Sequence, residues 1–255
     1  MSANGIFSRM AAGVLPRILA RLPLDSLGTV LLSAVHARVR SLSPAEGLRF
    51  LFRIDEALYP LEGNLAVAYD RGVHTKHRHT RYHDFFIHRI KSGDKVLDVG
   101  CGIGALAYDI AHQTGAVVVG IDLNERNLDQ ARTRFSHPNV SYIHGDVLNV
   151  DLAERFDSLV LSNLLEHLEH RVNFLRELVE RTNPRQVLLR VPSFERDWRV
   201  PLKQELGIDY RLDQTHFTEY TLESFAQEME AAGLAVTHQE CRWGEIWAQT
   251  KPEVS

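Results

Sequence analysis

The stretch Val96-Leu97-Asp98-Val99-Gly100-Cys101-Gly102-Ile103-Gly104 decides the fold of this 255-residue chain. A short apolar run ends in an acid and a glycine-rich turn, the pattern of a buried strand that passes into a helix. Glycine lets the backbone turn tightly and approach a ligand without a Cβ clash, and the helix N-terminus offers free N–H groups. Gly100, Gly102 and Ala105 also satisfy the GxGxxG/A pattern of dinucleotide sites. The turn therefore predicts a ligand site, and it does not by itself distinguish between ligands.

Short apolar strands alternate with helices from Lys95 onward, which predicts a parallel sheet with helices on both faces. The predicted strands cover residues 95–99, 116–121, 140–144, 157–161 and 186–191, and the predicted helices 105–113, 125–135, 172–181 and 222–232. Two further strands, 234–239 and 243–249, are expected to form a terminal antiparallel hairpin around Cys241-Arg242 at the edge of the sheet.

The first 60 residues show helical periodicity without strand alternation. We expect residues 1–60 to form a helical extension and residues 61–255 to form the main domain. A helix is predicted to begin at Ser43-Pro44-Ala45-Glu46, where a cap, a proline and an acid stand in the favoured order. A polar loop is predicted for residues 62–80.

Charge and composition exclude some classes of protein. Residues 1–40 contain five Arg and one Asp and carry a net charge of +4. The whole chain has a net charge of −4, so the remaining residues carry −8. An acidic main domain argues against a nucleic-acid partner. The basic N-terminus is compatible with peripheral contact with an anionic membrane, and equally with helix packing on the main domain or with homodimer formation. Two cysteines make no disulfide framework, so a cytoplasmic location is expected.

Three acids stand at the ends of successive predicted strands. Asp98 lies two residues before the first glycine, where it would repel a pyrophosphate but suits an ammonium group. Asp122 is placed to accept hydrogen bonds from two ribose hydroxyls, and Asp146 suits an adenine amino group. The carboxyl ends of strands form the rim where open α/β sheets bind ligands. The three acids favour S-adenosylmethionine (SAM), which has an ammonium group and no phosphate.

The main domain resembles the class I SAM-dependent methyltransferases over residues 80–255. Residues 96–104 are similar to their first motif, Gly120-Ile121-Asp122-Leu123 to the second, Gly145-Asp146-Val147 to the adenine-contacting one, and residues 156–168 to the following strand and loop. The resemblance implies a Rossmann-like, seven-stranded, mostly parallel sheet, with SAM as cofactor. It implies cofactor contacts from Asp98, Gly100, Cys101, Gly102, Gly104, Asp122, Leu123, Asp146, Val147 and Asn163. The implied acceptor is a small molecule, a glycan or a lipid-linked compound, with O-methylation favoured.

Two histidines are candidates for the catalytic base, which is required only if the acceptor must lose a proton. His167 follows the fourth strand, and His216 lies between the fifth strand and the last helix. Both positions line the acceptor pocket in similar methyltransferases, although His167 also fits a packing role. The histidine-rich stretch 74–83 is read either as a solvated loop or as a lid whose Lys76, Arg78 and Arg81 hold an anion.

No metal site is predicted. Asn163, Glu166 and His167 partly resemble the Glu-x-x-Glu-His metal motif of ubiquinone-type and small-RNA O-methyltransferases. Asn163 replaces the first carboxylate, however, and a neutral amide is a poor substitute on Mg²⁺. Two other classes of function remain open: an NAD-dependent oxidoreductase and a non-catalytic SAM-binding protein.

Overall fold

The computed structural model describes residues 13–152 and 155–253. The chain divides into two compact units, Met1–Glu62 and Gly63–Ser255. The helices are residues 13–19 of the described part (α1), Leu24–Val39 (α2), Pro44–Tyr69 (α3), Lys76–Thr80 (α4), Tyr82–Ile87 (α5), Ala105–Thr114 (α6), Glu125–Arg134 (α7), Arg171–Thr182 (α8), Arg199–Glu205 (α9) and Leu222–Ala231 (α10). The strands are Lys95–Val99 (β1), Val117–Asp122 (β2), Val140–His144 (β3), Ser158–Ser162 (β4), Gln186–Pro192 (β5), Leu234–Arg242 (β6) and Glu245–Pro252 (β7). None of the helices within the described ranges combines the length and the apolar character that crossing a bilayer requires.

The seven strands form one sheet in the order β3-β2-β1-β4-β5-β7-β6. Strands β1 to β5 pair in parallel, while β7 runs antiparallel to both β5 and β6. The Rossmann-like sheet with its terminal hairpin and the helices preceding it are thereby confirmed. The strand order reverses between β1 and β4, and ligands bind open α/β sheets outside the carboxyl ends of the strands at such a point.

Alternate side chains of the central strands supply two hydrophobic cores, because successive side chains of a strand point to opposite faces. On one face, Leu97 and Leu159 pack in a core with residues of α8 and α10. On the other, Val96 and Val160 pack in a core with residues of α5 and α6. Burial on both faces explains why these strands read as continuous apolar runs.

Two local predictions are wrong. Residues 62–80 are not a continuous loop, since α3 extends to Tyr69 and α4 follows. Leu61, Leu65 and Tyr69 recur every four residues, a helical period, and the helix contains Pro60 in its interior. The hairpin turns at Trp243-Gly244, two residues later than predicted. Their φ angles are +56° and +75°, and a two-residue type I′ turn requires positive φ at both central positions.

The predicted start of α3 is confirmed by its hydrogen bonds. The Ser43 backbone N–H donates to Glu46 Oε2 at 3.0 Å, and the Glu46 N–H donates to Ser43 Oγ at 3.4 Å. This reciprocal pair is a capping box, which satisfies two N–H groups that a helix start otherwise leaves without acceptors.

Candidate active site

The glycine turn after β1 requires glycine at three positions. Gly100, Gly102 and Gly104 have φ angles of +72°, +54° and +80°, a region that other residues enter only with strain. A Cβ on Gly104 would also lie only 2.8 Å from ring carbons of Tyr142. The turn therefore brings the start of α6 close to the ends of β1 and β2.

A cavity of ≈ 220 Å³ opens beside this turn, at the carboxyl ends of β1 and β4. Half of the predicted cofactor residues line it: Asp98, Gly100, Cys101, Gly102 and Asn163. Asn163 has a φ of +55°, and its buried Oδ1 has no hydrogen-bond partner in the described structure. The cavity thus presents polar groups that are free to bind a ligand.

Asp98 is the strongest indication of what the cavity holds. The residue is 2% exposed, and its Oδ2 has no hydrogen-bond partner in the described structure. Burial, with a further contribution from the charge of Asp122, raises the pKa of Asp98 to about 7. A buried carboxylate normally has a partner, because desolvating an unpaired charge is costly. The ammonium group of SAM would supply that partner, so Asp98 fits the cofactor.

Asp122 connects the end of β2 to the glycine turn. Its Oδ2 accepts a hydrogen bond from the Gly102 N–H and its Oδ1 accepts one from the Asn124 N–H, both at 2.8 Å. Each carboxylate oxygen has two lone pairs, so both retain capacity for ribose hydroxyls. Leu123, which is 73% exposed, adds an apolar surface next to this carboxylate.

Two other predicted cofactor residues have structural roles in the folded chain. Asp146 is exposed and stabilises the turn after β3, where Oδ1 accepts from the Leu148 N–H at 3.0 Å and Oδ2 from Asn149 Nδ2 at 2.6 Å. The Val147 side chain is buried in the core. The predicted contacts of these two residues with the adenine stay predictions.

Arg190 and Tyr82 also line the cavity, and neither was among the predicted catalytic or cofactor-binding residues. Arg190 forms a bidentate ion pair with Glu245, with Nε–Oε2 at 2.6 Å and Nη2–Oε1 at 2.5 Å, and its guanidinium lies 3.7 Å from the centre of the Tyr82 ring. A charged residue inside an otherwise apolar strand was the available signal. Its partner belongs to the hairpin, so only the fold brings the two together.

The histidine-rich stretch contributes two further residues to the cavity. Lys76 and His77, from the first turn of α4, line it. Burial, together with the nearby His83 and Lys76, lowers the pKa of His77 to about 3, so this imidazole is neutral. Arg78 and Arg81 instead pair with carboxylates of Asp70 and Asp84. Lys76 is therefore the cation of this stretch that lines the cavity, and the role of the stretch as a lid stays a prediction.

The two candidate catalytic histidines lie side by side. His167 ends the 3₁₀ turn Leu165–His167 after β4, and the centre of its ring is 4.6 Å from that of His216. The Phe217 N–H donates to the Glu166 carbonyl at 2.7 Å and fixes the second loop against the first. The sequence analysis grouped Glu166 with His167 but not with His216, because residues 166 and 216 are 50 positions apart in the chain.

Hydrogen bonds set the tautomers of both imidazoles. Thr215 Oγ1 donates to Asp213 at 2.7 Å and therefore accepts from His167 Nδ1, at 2.8 Å. His216 Nδ1 faces a Glu219 carboxylate oxygen at 3.3 Å, which accepts its proton. In both rings the Nε2 lone pair is left free to accept a proton or bind a metal.

Glu166 completes a cluster that we call the acceptor cluster: Glu166, His167 and His216. Glu166 is fully buried, neither of its carboxylate oxygens has a partner in the described structure, and burial raises its pKa to about 7. One donor atom from each of the three residues lies within 4.8 Å of the others. Two imidazoles and a carboxylate are a common donor set for divalent transition metals, so the cluster fits a metal although none was predicted.

Comparisons with known proteins bear out the predicted resemblance to methyltransferases. Residues 96–185 match the family described as "Methyltransferase domain". The sheet is shared with magnesium protoporphyrin IX methyltransferase from Synechocystis PCC 6803, solved with bound SAH, at a TM-score of 0.55 and 15% identity over 69% of this chain and 84% of that one. The methyltransferase domain of bacterial CtHen1-C gives 0.55 at 19% identity, over 69% of this chain and 99% of that one. Residues 96–185 of this chain therefore match a methyltransferase domain, and the chain shares its fold with these methyltransferases.

Two curated relatives show which kinds of methyltransferase this chain resembles in sequence. The ubiquinone biosynthesis O-methyltransferase of Rhodopseudomonas palustris is 30% identical over 156 residues, which are 58% of this chain and 61% of that protein. The sterol 24-C-methyltransferase of Eremothecium gossypii is 40% identical over 81 residues, 29% of this chain and 21% of that protein. The chain therefore spans less than two thirds of the curated relatives it matches.

Proposed function

We propose that this protein transfers the methyl group of SAM to an oxygen atom of a small-molecule, glycan or lipid-linked acceptor. The observation that carries the proposal is the buried Asp98 carboxylate, which lines the cavity without a partner. It suits the cationic end of SAM and disfavours the pyrophosphate of NAD. When bound, SAM supplies an electrophilic methyl group. The protein must therefore orient the acceptor and, for a hydroxyl acceptor, remove its proton.

The acceptor cluster supports transfer to oxygen. The Nδ1 atom of each imidazole faces an oxygen acceptor, so the Nε2 atom of each neutral ring is available as a proton acceptor. Burial raises the pKa of Glu166 to about 7, so three potential proton acceptors lie within one group. Asn163 lines the cavity. Glu166 and His167 follow it in the chain by only three and four residues. Relatives named as ubiquinone biosynthesis O-methyltransferases support the same kind of acceptor atom.

A divalent metal is an alternative occupant of the cluster. Glu166, His167 and His216 would hold it, and it would supply Lewis-acid stabilisation of an acceptor alkoxide or phenolate. Thr215 and Glu219, which accept from the two Nδ1–H groups, would orient the imidazoles toward it.

The proposal is tested first by cofactor binding. Titration calorimetry with S-adenosylhomocysteine should show one site per chain, and NAD should give no heat and no thermal stabilisation. Binding of NAD in place of S-adenosylhomocysteine would favour the oxidoreductase alternative.

Turnover is tested with methyl-labelled SAM and a panel of hydroxylated acceptors, which includes intermediates of ubiquinone biosynthesis. The panel is run with the protein as purified, with EDTA, and with added Mn²⁺ or Zn²⁺. Transfer that EDTA abolishes supports a metal in the cluster, whereas unchanged transfer supports direct proton removal. Cofactor binding without transfer to any acceptor, with or without metal, would favour a non-catalytic SAM-binding protein.

A further inference from the structure

The segment of residues 13–42, here called the N-terminal arm, exposes apolar side chains to solvent. None of the residues of α2 is buried. Leu24 is 85% exposed and Leu32 61% exposed. The exposed large apolar residues of the arm are Val14, Leu15, Ile18, Leu24, Val30, Leu31 and Leu32. Soluble proteins seldom expose a cluster of this kind unless it binds something.

The exposed large apolar residues of α2 lie on one broad side of the helix. At 3.6 residues per turn Leu24, Val30, Leu31 and Leu32 fall within an arc of roughly 200°, which also contains Arg38. The opposite side carries Ser26, Ser33 and other polar residues. The helix is therefore amphipathic, with its apolar side exposed at these four positions and half-buried at Leu27, Val35 and Val39.

The charge of the arm identifies its partner. It contains four arginines, Arg17, Arg21, Arg38 and Arg40, and one acid, Asp25, whereas the whole chain has a net charge of −4. Across the described residues, none of these arginines forms a salt bridge. A second copy of the same face would bring like charges together, which opposes a symmetric dimer. An anionic surface would neutralise them.

We infer that the N-terminal arm binds the surface of an anionic lipid bilayer, with the apolar side of α2 at the level of the acyl chains and the arginines among the headgroups. The arm has what an interfacial helix needs: an apolar side, a net positive charge and too short an apolar run to span. The inference does not depend on the proposed activity, because binding of the arm to a lipid surface requires neither SAM nor a methyl acceptor.

Flotation of the full chain with vesicles tests this inference. Vesicles of equal parts phosphatidylglycerol and phosphatidylcholine should carry the protein upward, and pure phosphatidylcholine vesicles should bind it at least tenfold more weakly. Two double variants should each reduce binding to the anionic vesicles at least tenfold: Leu24→Asp with Leu31→Asp, which removes the apolar contact, and Arg17→Glu with Arg21→Glu, which reverses the charge.

The matched control is Arg155→Glu with Lys251→Glu, which changes the net charge by the same amount at exposed positions outside the arm. It should bind vesicles like the unmodified chain. The inference is wrong if the unmodified chain does not float, or if the control loses as much binding as the arm variants. It is also wrong if light scattering shows a dimer that Leu24→Asp with Leu31→Asp converts to a monomer, since the arm then binds a second copy. Thermal stabilisation by S-adenosylhomocysteine checks that each variant is folded.

Discussion

The two sides of the active site are built in different ways. The donor side, around Asp98, the glycine turn and Asp122, comes from 25 consecutive positions, 98–122, of one strand–helix–strand unit. The acceptor cluster joins a turn after β4 to a loop 50 positions further along, and a Phe217-to-Glu166 hydrogen bond connects them. The residues predicted to bind the cofactor on this side therefore lie close together in the sequence, whereas the acceptor cluster forms only through contacts between distant parts of the chain.

Both sides nevertheless contain a buried carboxyl group without a partner, and both pKa values are raised to about 7. Their surroundings differ. Asp98 has a second carboxylate, Asp122, as its charged neighbour, so a cation is the partner that suits it best. Glu166 has His216 and Arg190 nearby, so it can share a proton or a metal. Asp98 is therefore suited to binding the cofactor, and Glu166 is suited to proton transfer or metal binding.

The largest effect is expected on the acceptor side. Glu166→Gln or His216→Ala should lower turnover by about 10²–10⁴-fold, the usual contribution of a positioned proton acceptor. Affinity for S-adenosylhomocysteine should stay within about twofold, because neither residue lines the cavity. Single-turnover assays and calorimetry measure the two quantities, and His170→Ala, an exposed histidine three positions beyond His167, serves as the control. Equal losses of turnover and of cofactor affinity would show that the acceptor cluster and the cofactor site do not act separately.

Asp98→Asn should produce the opposite pattern. The substitution keeps the shape and removes the charge, so affinity for S-adenosylhomocysteine should fall by at least about thirtyfold, the lower end for breaking a buried charge pair. Calorimetry measures it, and Asp151→Asn is the control, because that carboxylate is exposed and is not among the predicted cofactor contacts. An unchanged affinity in Asp98→Asn would show that the ammonium group of the cofactor binds elsewhere.

The same division explains how much the sequence could predict. Strands β1 and β3 were placed to the residue, because buried apolar runs between turn residues are a local signal. Asp98, Asp122 and the glycine turn follow from strand ends alone. The pairing of Arg190 with Glu245 depends on an antiparallel hairpin next to β5, and no local pattern states which charged residues meet.

The acceptor cluster was only half predicted for the same reason. His167 and His216 were chosen separately, each for its place after a strand. Their contact, and the position of Glu166 between them and the cavity residue Asn163, arises from the way two loops pack. The metal-binding potential was missed because the motif was judged along the chain, where Asn163 breaks it, whereas the third donor comes from His216.

A smaller effect is expected from Thr215→Val, which tests whether the cluster depends on its supporting hydrogen bonds. The side chain keeps its volume but no longer accepts from His167 Nδ1, so the imidazole loses its fixed tautomer. Turnover should fall about tenfold, the lower range for residues that orient a ligand or base, with the optimum pH displaced. Thr218→Val is the control, because it makes the same change beyond the loop contact. An identical pH profile would assign Thr215 a structural role only.

The smallest effect, on thermal stability, separates the two carboxyl groups directly. A pKa of about 7 in the folded chain lies above the unfolded values of 3.8 and 4.5, so the folded state binds more protons between pH 4 and 7. Stability must then fall as the pH rises through that window. At pH 8, Asp98→Asn and Glu166→Gln should each raise the Tm of the cofactor-free chain by about 2–4 °C for each kcal/mol recovered, with little change at pH 4.

Saturating S-adenosylhomocysteine should abolish this gain for Asp98→Asn alone, because its ammonium group stabilises the ionised Asp98 and leaves Glu166 without a partner. Differential scanning calorimetry at both pH values, with and without the ligand, measures all four cases. If the ligand cancels the gain of both variants equally, the two carboxyl groups belong to one continuous site. If it cancels only that of Asp98→Asn, the acceptor side keeps its unpaired carboxylate for the acceptor proton or a metal.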